Sequence, residues 1–164
     1  MWPTKRWTPE GYASVTVELH RRGYTVLLLG APNEAAIVAD VNRQAGNVGI
    51  NLAGRTEVAT LVAAIDRCQA MVCNDSAPMH IAAALGVPEV AIFGPTHPSM
   101  GFAPRGDNAI VVQRDLSCRP CSSHGGVRCP IGTHACMREL APADVLAALD
   151  RLLARASQRQ RSLA

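Results

Sequence analysis

Strand-length apolar runs alternating with helical patterns predict an α/β fold, a parallel sheet flanked by helices. Three observations carry this. Apolar runs recur at residues 24–29, 48–52, 70–73, 90–93 and 110–112. Most are separated by segments whose apolar residues return at helical spacing. The first run reads as a strand covered on both faces and followed by a turn. Such alternation requires crossover connections, which almost always wind right-handed.

In chain order, residues 1–9 form a short polar and aromatic opening, with Trp2-Pro3-Thr4-Lys5-Arg6-Trp7 and no strand before it. Residues 10–22 carry Tyr12, Val15, Val17 and Leu19 in an imperfect helical pattern that stops at Gly23. The strand at 24–29 ends in Gly30-Ala31-Pro32-Asn33, and a returning helix runs from Glu34 to about Arg43. After the strand at 48–52, Ala53-Gly54-Arg55 turns the chain into a helix from Thr56 or Glu57 to Cys68, with Val58, Leu61, Val62 and Ile65 inward. The strand at 70–73 leads to a helix at 78–85, and a last helix is expected over 143–156, with Val145, Leu146, Leu149, Leu152 and Leu153 on one side. Arg151, Arg155 and Arg159 recur beside them, a solvated face in preference to a contact with anionic lipid headgroups. The expected organisation is a single domain over residues 1–156, containing an irregular Cys-rich insertion at 94–140, and a frayed tail at 157–164.

The chain is organised around Asn74-Asp75-Ser76-Ala77-Pro78-Met79-His80. Read as strand, turn and helix, this cluster lies at the carboxyl edge of the sheet, where open α/β sheets bind ligands. Pro78 suits a first helical turn, so free amides and a positive dipole end face outward there. That is an anion site, and His80 could add a donor to a phosphate oxygen. Simple capping by Asp75 or Ser76 is the competing reading.

The 164 residues suffice for one domain with a real core, and 48% are apolar. A net charge of +3, with no basic stretch interleaved by aromatics, argues against nucleic acid as a partner. No leader and no run near bilayer-spanning length is present, which points to the cytoplasm. Six cysteines then read as reduced thiols, metal ligands or catalytic groups rather than disulfides. Cys118, Cys121, Cys129 and Cys136, with His124 and His134 nearby, could hold a structural zinc, although no second close pair completes a recognised finger. Reduced thiols or a redox-sensitive pair are the favoured alternative, and no catalytic role is expected of them. Cys68 and Cys73 flank a buried strand and read as small apolar residues.

Five motifs in order resemble a family: Lys5-Arg6-Trp7, Leu29-Gly30-Ala31-Pro32-Asn33-Glu34, Asn51-Leu52-Ala53-Gly54-Arg55-Thr56, the cluster from Asn74 to His80, and Phe93-Gly94-Pro95-Thr96-His97-Pro98. Together they look like the carboxyl-terminal half of the bacterial ADP-heptose:lipopolysaccharide heptosyltransferases, glycosyltransferase family 9. Cys118-Arg119-Pro120-Cys121 and the stretch from Cys129-Pro130 to Cys136-Met137 look like its heptosyltransferase II branch.

The resemblance implies a GT-B glycosyltransferase with two Rossmann-like domains, of which this chain is the nucleotide-sugar-binding second. It implies donor contacts from Lys5 at the phosphate and sugar, Glu34 at the nucleoside, Asp75 at the heptose hydroxyls, and Ser76, Ala77 and His80 at the diphosphate. Thr56 on the adenine side and Thr96 at the sheet edge complete the set. Position 77 departs from the family's usual glycine, which matters if a positive φ is needed there. The implied function is transfer of heptose from ADP-heptose to the lipopolysaccharide inner core, with no required cofactor, in the cytoplasm or peripheral to the inner membrane. No catalytic residue is expected within the chain, because the family's general base belongs to the first domain, which binds the lipopolysaccharide acceptor. The alternatives are a non-catalytic nucleotide-binding or regulatory module and a zinc-ordered interaction domain.

Overall fold

The computed structural model describes residues 2–162, the side chains of residues 159–162 excepted. Its strands are parallel, as expected, but form two sheets: β1 (Leu27–Leu28) pairs with β2 (Ile50–Asn51), and β3 (Met71–Asn74), β4 (Glu89–Phe93) and β5 (Ala109–Gln113) follow one another in the second. The chain divides into two compact units, residues 8–63 and residues 1–7 with 64–164.

The unit of residues 8–63 holds α1 (Pro9–Arg21), α2 (Ala35–Gln44), β1, β2 and the start of α3 (Val58–Asp66). Pro9 opens α1 where its missing N–H costs nothing, and the Thr8 hydroxyl accepts from the Gly11 N–H at 3.0 Å. α1 packs on α2, and Ala13, Leu28, Val41 and Ala45 form the core with Tyr12, Val26, Val38 and Val48 around them. Three expectations fail here. The run at 24–29 yields only a two-residue strand and is not buried on both faces, since Tyr24 is exposed and Leu27 half-buried. Val58 is 74% exposed, not inward. Apolar spacing marks a face that could be covered; a small core leaves part of it uncovered.

The other unit centres on β4, all five of whose residues are buried. Cys73, Ala91 and Phe93 pack with Met79 of α4 (Ala77–Leu85). α4 ends at Gly86, whose φ of +72° lets its N–H bond to the Ala83 carbonyl at 3.2 Å and the Val87 N–H to that of Ala82 at 3.0 Å. After the short α5 (Ala135–Arg138), α6 (Pro142–Ser162) covers β4 and β5 through Val145, Ala148, Leu149 and Leu152. It continues to Ser162 through residues expected to fray. Arg151 and Arg155 are exposed on it; the side chain of Arg159 and the last residues of the expected tail lie outside the described residues. Trp7 is buried at 3% exposure, and its indole N–H donates to the Leu140 carbonyl at 3.2 Å, so the opening stretch belongs to this unit's core. No helix among the described residues is long and apolar enough to cross a membrane.

Candidate functional site

β3 ends at Asn74, and the chain leaves it still tied to β4, the Asp75 N–H donating to the Ile92 carbonyl at 3.1 Å. The Asn74 Oδ1 accepts from the Trp7 backbone N–H at 2.9 Å. That bond brings the short 3-10 turn Pro3–Lys5 to the carboxyl edge of the sheet. There Lys5 Nζ lies 2.6 Å from Asp75 Oδ2, and the Thr96 hydroxyl donates to the same oxygen at 2.7 Å. The Lys5 side chain is 13% exposed and that of Asp75 4%. A charge pair this deep is tolerated only when its remaining valences are also met, and the buried Thr96 hydroxyl meets one of them. Lys5 is moreover the only lysine among the 16 basic residues of the chain, the other 15 being arginine. An ammonium is a compact charge with three rotatable donors, suited to meeting an aspartate and a second anion together.

α4 starts immediately beyond. Ser76 is its N-cap residue in extended conformation, yet its hydroxyl makes no capping bond and donates instead to the Asn74 carbonyl at 3.1 Å. The Met79 N–H donates to the Ser76 carbonyl at 3.1 Å and Pro78 has no N–H, so of the first turn it is the Ala77 amide that no side chain caps, and the dipole end adds positive potential beside the ammonium. Ala77 and His80 are exposed on this turn and Ser76 is half-buried. Among the described residues, positive φ at non-glycine positions occurs at Asn47 and His134, so Ala77 has ordinary backbone and its departure from glycine imposes no strain.

Of the expected donor-binding residues, the structure gathers Lys5, Asp75 and Thr96 in one cluster and sets Ser76, Ala77 and His80 at the helix start beside it. Thr96 is buried, and its hydroxyl holds Asp75. Glu34 and Thr56 belong to the other unit. Glu34 Oε2 accepts from the Ala31 N–H at 3.2 Å, which closes the local turn, and Thr56 is half-buried ahead of α3.

All six cysteines are free. Cys118, Cys121, Cys129 and Cys136 line one cavity of about 40 Å³ together with Arg119 and His134. Among the described residues no three His, Cys, Asp or Glu side chains come together to hold a metal ion, so the zinc reading finds no ligand set. Arg119 shares that cavity wall, where its guanidinium would oppose a dication. Burial pushes the Cys121 and Cys136 thiols up. Burial raises Cys129 as well, but backbone N–H groups from Ile131 to His134 outweigh it and leave that thiol below its usual range. Cys73 is buried, as expected of a small apolar residue, whereas Cys68 is half-buried, its thiol donating to the Ala64 carbonyl at 3.1 Å. The contacts of Asn74, Arg119 and His134 escaped sequence reasoning, because their partners lie far along the chain.

The profile described as "Glycosyltransferase family 9 (heptosyltransferase)" matches residues 1–128. The lipooligosaccharide heptosyltransferase 2 of Campylobacter jejuni is 33% identical over 153 residues, 91% of this chain and 47% of that protein. The lipopolysaccharide heptosyltransferase 2 of Escherichia coli K12 is 35% identical over 155 residues, 92% of this chain and 43% of that protein. The solved structure of E. coli ADP-heptose lps heptosyltransferase II superimposes with a TM-score of 0.78 at 30% identity, covering 95% of this chain and 44% of that one. The chain thus spans less than half the length of these relatives. The fold is that of the corresponding half of a GT-B glycosyltransferase. With its parallel sheets, its ion pair at the sheet edge and these likenesses together, the chain belongs to glycosyltransferase family 9, the heptosyltransferases.

Proposed function

We propose that the chain is the donor half of a heptosyltransferase, binding ADP-heptose for transfer to the inner core of lipopolysaccharide. The observation that carries this is the Lys5–Asp75 pair held at the carboxyl edge of β3 beside an uncapped helix start. The Ala77 amide at the start of α4 and His80 receive the diphosphate, while Lys5 neutralises charge that grows on the leaving group as the glycosidic bond breaks. Asp75 accepts from sugar hydroxyls with the carboxylate that Lys5 and Thr96 orient. Glu34 and Thr56 are proposed as contacts to the nucleoside. Transfer also requires a general base and an acceptor site, which this reading assigns to an acceptor-binding half, with the lipopolysaccharide core as acceptor. The setting is the cytoplasm, and peripheral membrane contact would use the exposed Arg151 and Arg155.

Calorimetric titration of the chain with ADP, ADP-heptose and UDP tests the reading. Binding of the two adenine nucleotides, weakened about tenfold or more by Lys5→Met, supports it. Absence of binding by both would overturn it. Repeating the titration beside a separately made acceptor-binding half separates an enzyme half from a nucleotide-binding module: the module binds donor in both settings and releases no ADP.

A further inference from the structure

We infer that the Cys-rich stretch acts as a frame whose His134, Gly125 and Arg119 are positioning residues for the Lys5–Asp75–Thr96 cluster. Lys5 and Thr96 approach Asp75 from opposite ends of the sequence, and one segment grips the neighbourhood of both.

On the Lys5 side, Thr4 is buried at 5% exposure and bonded in three ways to Gly126. Its hydroxyl donates to the Gly126 carbonyl at 2.9 Å and accepts from the Gly126 N–H at 2.8 Å, while its own N–H donates to that carbonyl at 3.2 Å. The Thr4 carbonyl lies 2.8 Å from His134 Nε2. A carbonyl only accepts, so Nε2 carries the proton in this contact. His134 makes it from a backbone φ of +52°, a conformation that non-glycine residues adopt at a cost and retain where surrounding contacts demand it. Gly125 closes the grip by proximity: a Cβ there would stand 2.8 Å from Lys5 Cγ and 2.9 Å from Cδ. The lysine stem therefore runs over the one residue type that leaves it room.

On the Thr96 side, Arg119 donates through Nη2 to the Thr96 carbonyl at 2.9 Å and to Gln113 Oε1 at 3.0 Å. Its Nε reaches the Gly94 carbonyl and its Nη1 that of Arg114. The Cys121 and Ser122 N–H groups donate to the Pro95 carbonyl at 3.0 and 3.3 Å. The turn that carries the Thr96 hydroxyl is thus fixed from the segment that also fixes Lys5. This frame sets the ammonium-to-carboxylate geometry before any ligand arrives. The inference rests on the proposed diphosphate site for its purpose, but not for its test.

The sole lysine makes the frame measurable without a ligand. Acylation of Lys5 in the native 164-residue chain, followed by peptide mass mapping, reads how securely the side chain is held. His134→Ala and Gly125→Ala are each expected to speed Lys5 acylation about fivefold to tenfold, roughly what one lost hydrogen bond is worth. His134→Gln, which returns an amide donor, is expected to recover most of the protection. Melting temperatures recorded alongside separate framing from folding: a lowered melting temperature with unchanged acylation in both folded variants overturns the inference. Thr4→Val serves where either variant does not fold, with the same expectation. ADP titration is the second arm. About tenfold weaker binding by His134→Ala, recovered by His134→Gln, supports the frame. Unchanged affinity overturns its link to the site. If the unaltered chain binds no ADP while acylation responds as expected, the diphosphate reading fails and the frame stands.

Discussion

The two compact units spend charge in opposite ways. Within residues 8–63 the ion pairs lie in water: Glu18 bonds Arg21 and Arg22 one turn on, and Asp40 does the same with Arg43. In the other unit Lys5 and Asp75 are nearly enclosed, and Asn74, Glu89 and Thr96 are buried with them. Exposed i,i+3 and i,i+4 pairs follow from local helix geometry and add little stability. The enclosed pair joins residues 70 positions apart and had to overcome desolvation, which folding alone gives no reason to do. Buried charge therefore marks the unit that carries the proposed diphosphate site.

Substitutions can break this contrast, the largest effect first. Lys5→Met leaves Asp75 buried without its cation and is expected to cost about 4 kcal/mol by urea denaturation at pH 7. A loss no greater than that of a surface substitution would show the pair to be solvated. Glu89 follows. It is wholly buried; Oε1 has no hydrogen-bond partner, and Oε2 accepts only a weak bond from the Cys73 thiol at 3.6 Å. Burial pushes its carboxyl from the usual 4.5 up to about 7. The folded state then holds a proton that the unfolded chain releases, so stability falls as pH rises from about 4.5 to about 7. That loss amounts to about 3 kcal/mol. Glu89→Gln is expected to flatten this part of the pH–stability curve and to exceed the parent in stability at pH 8.

Smaller effects sharpen the comparison from the other side. Thr8→Ala removes the α1 cap and is expected to cost about 1 kcal/mol, measured by the same denaturation. Asp40→Asn is expected to leave the urea midpoint unchanged, because its partner is exposed and salt-screened. The smallest effect expected is that of chelation: since the four cysteines of the 94–140 stretch do not converge as ligands, EDTA is expected to leave the melting temperature where it was. A drop on chelation would restore the zinc reading.

Much of the fold was legible beforehand, and for a local reason. Pro9 after Thr8, Pro78 after Ser76, and Gly86 after Leu85 announce helix ends through their own backbone preferences. β4 was legible because a fully buried strand shows its burial in its own residues. β1 was not, because how much of the 24–29 run pairs depends on the strand beside it. The site divides the same way. The helix start at Ser76–Pro78 could be read from its residues. That the Thr96 hydroxyl bonds Asp75 could not be read from its residues.

By itself the sequence determined the order of strands and helices, the position of the helix start at Ser76–Pro78 and the family to which both belong, since each is written in contiguous residues. Only the tertiary structure decided that Lys5 meets Asp75, that Thr96 is interior, and that Arg119 and His134 grip the segments around them. These contacts span from about 20 to 130 positions of chain. No local preference encodes such a pairing, because it exists only once the sheet has brought its carboxyl edge and the amino-terminal turn together.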